Sequence, residues 1–85
     1  MARAQIIVSK QCLREFDRLT SSIQKRIRAK IELVAENLLL WKHERLVGRK
    51  EYKLRVGDYR ILYDCDLNQN QVMLLHIGHR REVYR

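Results

Sequence analysis

The sequence is poor in residues that interrupt regular structure. Proline is absent from the 85 residues, and glycine occurs three times, at Gly48, Gly57 and Gly78. Because proline and glycine are the strongest local breakers, their scarcity predicts long regular elements that turn at the glycines. No segment has the biased composition of a linker, and no internal repeat is present. A chain of this length predicts a single domain, residues 1–85, with a modest core.

Cysteine is scarce as well, which argues against a scaffold built on disulfides or metal. Cys12 and Cys65 lie too far apart in sequence for a C-x-x-C motif. The pair is typical of small buried apolar residues in a reducing compartment. No set of His, Cys, Asp and Glu has metal-ligand spacing, so we expect no metal and no cofactor. Glycine-rich phosphate loops and serine–histidine hydrolase patterns are also missing.

Long hydrophobic runs are absent from the start of the chain. The first ten residues hold one apolar run of three residues, Ile6, Ile7 and Val8. That run is too short for a signal peptide or a membrane span. We therefore expect a cytoplasmic protein with no membrane partner.

The charge of the chain is strongly one-sided. Eighteen Lys and Arg against ten Asp and Glu give a formal net charge of +8. Such a surplus on a small body favours a polyanionic partner and bears on association rather than on fold. RNA, DNA, an anionic membrane and an acidic protein are all candidates, and simple solubility is the alternative interpretation.

The first half of the chain predicts one strand and two helices. The β-branched segment 5–8 indicates a strand, and Ser9 is a suitable cap for a helix over residues 10–19. Ser21 and Gln24 fit a capping box for a second helix. Its apolar stripe recurs every three or four residues, at Ile23, Ile27, Ile31, Val34 and Leu38. A basic amphipathic helix could also lie on a membrane or in a partner's groove, but strands that need a cover follow it.

The second half predicts three strands after a polar connection over residues 41–50. The strands cover residues 51–56, 59–65 and 72–77, and the last is apolar throughout, which favours burial on both faces. Gly57-Asp58 and residues 68–70 are the turns between them. The order β-α-α-β-β-β indicates an α+β domain with two N-terminal helices packed on one face of a four-stranded antiparallel sheet.

The Gly57-Asp58 turn predicts which side chains share a sheet face. With a two-residue loop, Arg55 lies opposite Arg60, and residues directly opposed point to the same side. The apolar side then carries Tyr52, Leu54, Val56, Tyr59, Ile61 and Tyr63. The other side carries Lys53, Arg55 and Arg60, with Glu51 and Asp64 further along.

Opposed arginines destabilise a sheet, so a site that holds a phosphate is the functional interpretation of Arg55 and Arg60. A solvated pair partly neutralised by Glu51 and Asp64 is the structural alternative. After Gly78 comes a polar tail with His79, Arg80, Arg81 and Tyr84, which is either more of the same site or a frayed terminus. We interpret His76, inside an apolar strand, as a satisfied core histidine.

Two segments resemble the RelE/ParE toxin superfamily. The run from Tyr52 to Tyr63, YKLRVGDYRILY, is similar to its central motif, and Ile77 to Tyr84, IGHRREVY, is similar to its C-terminal motif. The helical half and the order of elements agree, so the resemblance covers nearly the whole chain. It favours the RelE-like branch, whose members cut mRNA in the ribosomal A site by attack of the ribose 2′-OH on the adjacent phosphate. That reaction needs no metal, and a cognate antitoxin protein silences the toxin.

The resemblance also implies roles for individual residues. Arg60, Arg80 and Lys53 match active-site positions of RelE-like enzymes, and Tyr84 matches their catalytic tyrosine. A second family lysine position holds Glu51 here, and Lys50 is the neighbouring substitute. Arginine stays protonated, so we expect Arg60 and Arg80 to stabilise the phosphate, with Tyr84 as base aided by Lys53. Arg80 or His79 would lie near the leaving oxygen. The remaining RNA-binding candidates are Lys50, Arg55, His79 and Arg81.

Two other functions fit the same residues. A ParE-like protein would inhibit DNA gyrase without cutting RNA. A non-catalytic nucleic-acid-binding module would bind with a steep salt dependence and produce no scission.

Overall fold

Seven elements follow one another along residues 2–82, the part of the chain that the computed structural model describes. They are β1 (Gln5–Val8), α1 (Lys10–Asp17), α2 (Ser21–Glu36), β2 (Glu44–Arg45), β3 (Tyr52–Val56), β4 (Tyr59–Asp66) and β5 (Gln71–His79). The α+β class and the position of both helices before the main strands are as the sequence predicts. None of the helices in this range is long and apolar enough to cross a bilayer.

The sheet is mixed and has five strands, so the prediction of four antiparallel strands is wrong. Its order is β1-β5-β4-β3-β2. β1 pairs in parallel with β5, and the other neighbours are antiparallel. A parallel pair formed by the two ends of a chain leaves no local turn pattern in the sequence. β2 has only two residues and lies inside the predicted connection, where no periodicity can reveal it.

Side-chain caps set the starts of the two helices. Ser9 Oγ accepts the Cys12 N–H at 3.0 Å, which confirms the predicted cap of α1. For α2 the cap is Thr20, whose hydroxyl accepts the Ile23 N–H at 3.4 Å, so the capping box assigned to Ser21 is wrong. The Gln24 amide donates instead to the Phe16 carbonyl at 2.9 Å and ties the two helices together.

One side of the sheet meets the helices and forms the core. Its largest fully buried members on α2 and the strands are Ile27, Val34, Ile61, Tyr63 and Val72. Cys12 is buried with them, and burial raises the pKa of its thiol to about 12, so it stays protonated and unreactive at neutral pH. Cys65 is half-buried, and both cysteines are free thiols.

The strand register confirms the predicted hairpin and adds one irregularity. Across β3 and β4, Arg55 pairs with Arg60 and Val56 with Tyr59. Across β4 and β5, Leu62 pairs with His76 but Tyr63 pairs with Leu74, so Leu75 is an extra, bulged residue. Leu74 and Ile77 are buried, whereas Met73 and Leu75 are only half-buried. The last strand is therefore buried on one face rather than two.

Candidate active site and nucleic-acid interface

The side of the sheet away from the helices carries a cationic face. We define it by two rows of paired residues, Arg55–Arg60–Gly78 and Lys53–Leu62–His76. In the first row two arginines are followed by a residue with no side chain, Gly78. The opposed arginines that the sequence predicts are thus present on this face.

The second row gives the cationic face an apolar floor. Leu62 has no exposed surface, although it points away from the helix-covered core. Its paired neighbours across the sheet are Lys53 and His76, whose side chains are themselves only partly exposed.

Arg60 is anchored to the β3–β4 turn. Its Nη1 donates to the Gly57 and Tyr59 carbonyls, both at 2.9 Å. Among residues 2–82, no hydrogen bond from Nε or Nη2 of Arg60 is present. Gly57 has φ of +56°, and a Cβ there would lie 3.1 Å from Nη2 of Arg26 on α2. The turn thus favours glycine for its backbone conformation, and a larger residue would also require the Arg26 side chain to shift.

The backbone of Arg80 is held at the same end of the sheet. Its N–H donates to the Asp58 carbonyl at 2.8 Å, two residues beyond Gly78. His79 lies edge-on to Tyr59, with ring centroids 6.0 Å apart, and its Nδ1 accepts the Arg81 N–H at 3.4 Å. Tyr84 lies outside the described residues, so its catalytic role stays a prediction.

The lysine side of the face is partly neutralised. Lys53 Nζ lies 3.9 Å from the Glu44 carboxylate. Glu51 pairs with Arg49 at 3.4 Å, and a backbone hydrogen bond together with Arg49 holds its pKa below the usual value. The position of the family's second lysine is therefore a carboxylate. Lys50 is exposed, and its carbonyl accepts from Arg45 at 3.2 Å.

His76 is a candidate residue that the sequence interpretation placed wrongly in the core. Its side chain is 37% exposed, and it stands on the cationic face, in register with Leu62 and Lys53. Its Nδ1 lies 3.5 Å from the Glu15 carboxylate. The other oxygen of Glu15 accepts the Ile77 N–H at 3.0 Å, which fixes the carboxylate behind the imidazole. A carboxylate-backed imidazole is an arrangement suited to proton transfer.

Only the bulge at Leu75 brings His76 onto this face. With unbroken alternation, a buried Leu74 would place His76 on the helix side and Ile77 on the other. The extra residue reverses this order.

His43 has a structural role at the other end of the sheet. Its Nδ1 lies 2.6 Å from the Tyr63 hydroxyl, and its Nε2 lies 2.9 Å from the Leu38 carbonyl. Burial raises the pKa of Tyr63 above its ordinary value of 10, so the phenol stays protonated. These bonds fasten the segment before β2 to the core. Residues 2–82 hold no cluster of His, Cys, Asp and Glu suited to a metal.

Fold and surface together define a small α+β protein with a cationic sheet face, and solved structures share this fold. Free E. coli RelE, as a mutant, has a TM-score of 0.79 and 20% identity over 98% of this chain and 92% of that chain. For the intact E. coli RelBE toxin–antitoxin complex the TM-score is 0.77 and the identity 20%, over 89% of this chain and 95% of that chain. For the Mycobacterium tuberculosis RelBE2 complex the TM-score is 0.73 and the identity 24%, over 96% of this chain and 97% of that chain.

A family model makes the assignment by sequence. Residues 6–84 match the family described as the ParE toxin of the type II toxin–antitoxin system, parDE. The chain therefore belongs to the RelE/ParE superfamily of type II toxins. No curated protein shows a significant match to it.

Proposed function

We propose that the protein is a RelE-like toxin that cuts mRNA in the ribosomal A site. The observation that carries this proposal is the cationic face with Arg80 at its edge. Among residues 2–82, none of Arg55, Arg60 and Arg80 lies within ion-pair distance of a carboxylate. Opposed arginines without carboxylate partners are unfavourable in a sheet and well suited to a phosphodiester.

The chemistry divides between charge stabilisation and proton transfer. A base takes the proton of the ribose 2′-OH, the 2′ oxygen attacks phosphorus, and the bond from phosphorus to the 5′ oxygen breaks. The 5′ oxygen then takes up a proton, and a 2′,3′-cyclic phosphate remains. Arg60 and Arg80 offset the charge of the five-coordinate phosphate, since arginine cannot act as a base.

Two groups can exchange the protons. Tyr84 is the base implied by the resemblance, aided by Lys53. His76, backed by Glu15, stands on the cationic face and can serve the same reaction, either at the 2′-OH or at the leaving oxygen. Histidine is the side chain best matched to proton exchange near neutral pH.

The same proposal names the partners and the compartment. Such a toxin works in the cytoplasm on translating ribosomes, which would supply the positioning of the mRNA, an effect that can amount to several kcal/mol. We expect little cleavage of naked RNA for that reason. Two of the similar structures are complexes of RelE-type toxins with their antitoxins, which supports a cognate antitoxin here.

The test is mRNA cleavage on translating ribosomes, read by mapping mRNA 5′ ends. Arg60→Ala and Arg80→Ala should each lower the cleavage rate by about 10²–10³, the usual effect of removing one donor to a charged transition state. Lys25→Ala, at an exposed position of α2, is the matched control and should cut like the parent protein. Parental cleavage by both arginine variants would reject the proposal.

A ParE-like gyrase inhibitor is the second candidate, favoured by the description of the matching family. It predicts inhibited supercoiling or trapped DNA breaks in a gyrase assay and intact mRNA in the ribosome assay. The two assays on the same preparation separate the candidates.

A further inference from the structure

A second cationic surface adjoins the cationic face at the edge of β3. It is a cleft of about 440 Å³ between α2, the segment before β2 and β3. The residues that give the cleft its character are Lys30, Trp41, Lys42, Glu44, Lys53 and Arg55. Four cations against one carboxylate make it strongly basic. β2 pairs with β3 only at Tyr52 and Lys53, so the edge beyond those residues has no strand on this side within residues 2–82.

Trp41 supplies an aromatic surface inside this basic cleft. The indole is half-buried and packs against the core from one side. On its ring face stands Lys30, with Nζ 5.6 Å from the centroid. Neither Lys30 nor Lys42 forms an ion pair among the described residues. An aromatic ring bordered by unneutralised lysines is the usual composition of a single-strand nucleic-acid subsite.

We propose that this cleft binds a nucleotide of single-stranded RNA, with its base on Trp41 and its phosphate between Lys30 and Lys42. A base that stacks on the indole displaces the Lys30 ammonium, which is then free to bind the phosphate. Stacking on an aromatic ring is generally stronger than a cation–π contact at an exposed site, so the exchange is favourable. The proposal rests on the proposed function in one respect, that RNA is the polyanion.

The position of the cleft gives the bound nucleotide a role. Lys53 and Arg55 belong to both surfaces, because they project from the cationic face and also line the cleft. A strand whose phosphate lies at Arg55 and Arg60 therefore continues directly into the cleft. The cleft would hold a neighbouring nucleotide and set the register of the strand at the cleavage position.

Trp41 is the only tryptophan of the chain, so its fluorescence reports on the cleft directly. The parent protein is titrated with a short 2′-O-methyl oligonucleotide, which binds but has no 2′-OH to attack. We expect quenching of Trp41. Oligonucleotides of the same length with abasic positions should bind about 5- to 150-fold more weakly and lose the quenching, because stacking is absent.

Variants then separate the contribution of the indole ring to binding from that of the lysines. Binding is measured by the fluorescence anisotropy of a labelled oligonucleotide. Trp41→Leu should lose the preference for bases over abasic positions, and Trp41→Phe should retain part of it. Lys30→Ala and Lys42→Ala should each lower the slope of log K against log salt by about 0.7. Lys25→Ala, on α2 outside the cleft, should leave affinity and slope unchanged.

The proposal is overturned if base-bearing and abasic oligonucleotides quench the fluorescence of Trp41 equally, or if neither quenches it. It is also overturned if Trp41 responds only to an acidic peptide, since the cleft would then be a protein-docking surface. These readings involve no cleavage. If Trp41 does not stack on bases but mRNA cleavage on ribosomes still requires Arg60, the subsite alone is rejected. If Trp41 stacks on bases but cleavage does not require Arg60, the nuclease proposal alone is rejected.

Discussion

The two sides of the sheet are formed by the same strands but differ in composition: one side is apolar and buried, and the other is cationic. The helix side places Ile61, Tyr63 and Val72 in the core, with almost no exposed surface. The other side opposes Arg55 to Arg60 and Arg60 to Gly78. Burial on the first side lowers the free energy of the fold, whereas the opposed arginines on the second side are unfavourable for it. We therefore expect that stability and ligand binding can be altered separately, by substitutions on one side of the sheet or on the other.

The largest expected effect is on activity. His76→Gln should lower the cleavage rate on ribosomes by about 10²–10⁴, because a group suited to proton transfer is removed. Its thermal unfolding should stay near that of the parent, since the side chain is partly exposed. Glu15→Gln retains an acceptor for the Ile77 N–H and removes the carboxylate beside Nδ1 of His76, so we expect a smaller loss of the cleavage rate. A His76→Gln protein with the parental rate would exclude the imidazole from the reaction.

The next effect is on stability alone. Ile27→Ala on α2 removes a fully buried side chain and should cost about 2–5 kcal/mol of unfolding free energy, measured by urea denaturation. Leu33→Ala, at a position of the same helix that is 45% exposed, is the control and should cost much less. The rate per folded molecule should be unchanged in both. A large fall in that rate for Ile27→Ala would show that the two sides are coupled.

Tyr63→Phe tests the hydrogen bond that holds the segment before β2. It should lower the unfolding free energy by about 1–3 kcal/mol, because Nδ1 of His43 loses the Tyr63 hydroxyl as its hydrogen-bond partner. The pH dependence has a definite sign. A phenol whose pKa is raised by folding contributes stability that is present below its ordinary pKa of 10 and is lost as pH rises further. Alkaline unfolding of the parent should therefore include a loss that Tyr63→Phe lacks. Identical alkaline curves for the two proteins would contradict this.

The smallest expected effect is a gain in stability rather than a loss. Arg55→Thr removes one of two opposed cations and should raise the unfolding free energy by about 0.2–1 kcal/mol, while RNA cleavage falls. Lys53→Thr in the same strand is the matched control, since Lys53 opposes Leu62 and pairs with Glu44. It should bring no gain in stability. Equal gains from both would mean that threonine propensity, rather than relief of repulsion, accounts for the change.

What could be predicted from the sequence depended on how local the determining interaction is. The register of Arg55 and Arg60 follows from a two-residue turn at Gly57 and was predicted correctly. The parallel pair of β1 and β5 joins residues more than sixty positions apart and has no local pattern. Both Glu15 and His76 were visible in the sequence, but their meeting depends on that long-range packing and on the bulge. The role of Tyr84 stays a prediction.

The extra residue in β5 has a consequence for how such a protein can change. Side-chain orientation along a strand is a matter of odd and even position, and Leu75 shifts the count by one for everything that follows. Removal of that single residue would leave a regular ladder in which His76 directly follows Leu74, opposite Leu62 and Tyr63. His76, Ile77 and Gly78 would then keep their present sides, so the bulge lets the strand carry or lose one residue without inverting the C-terminal end of the sheet.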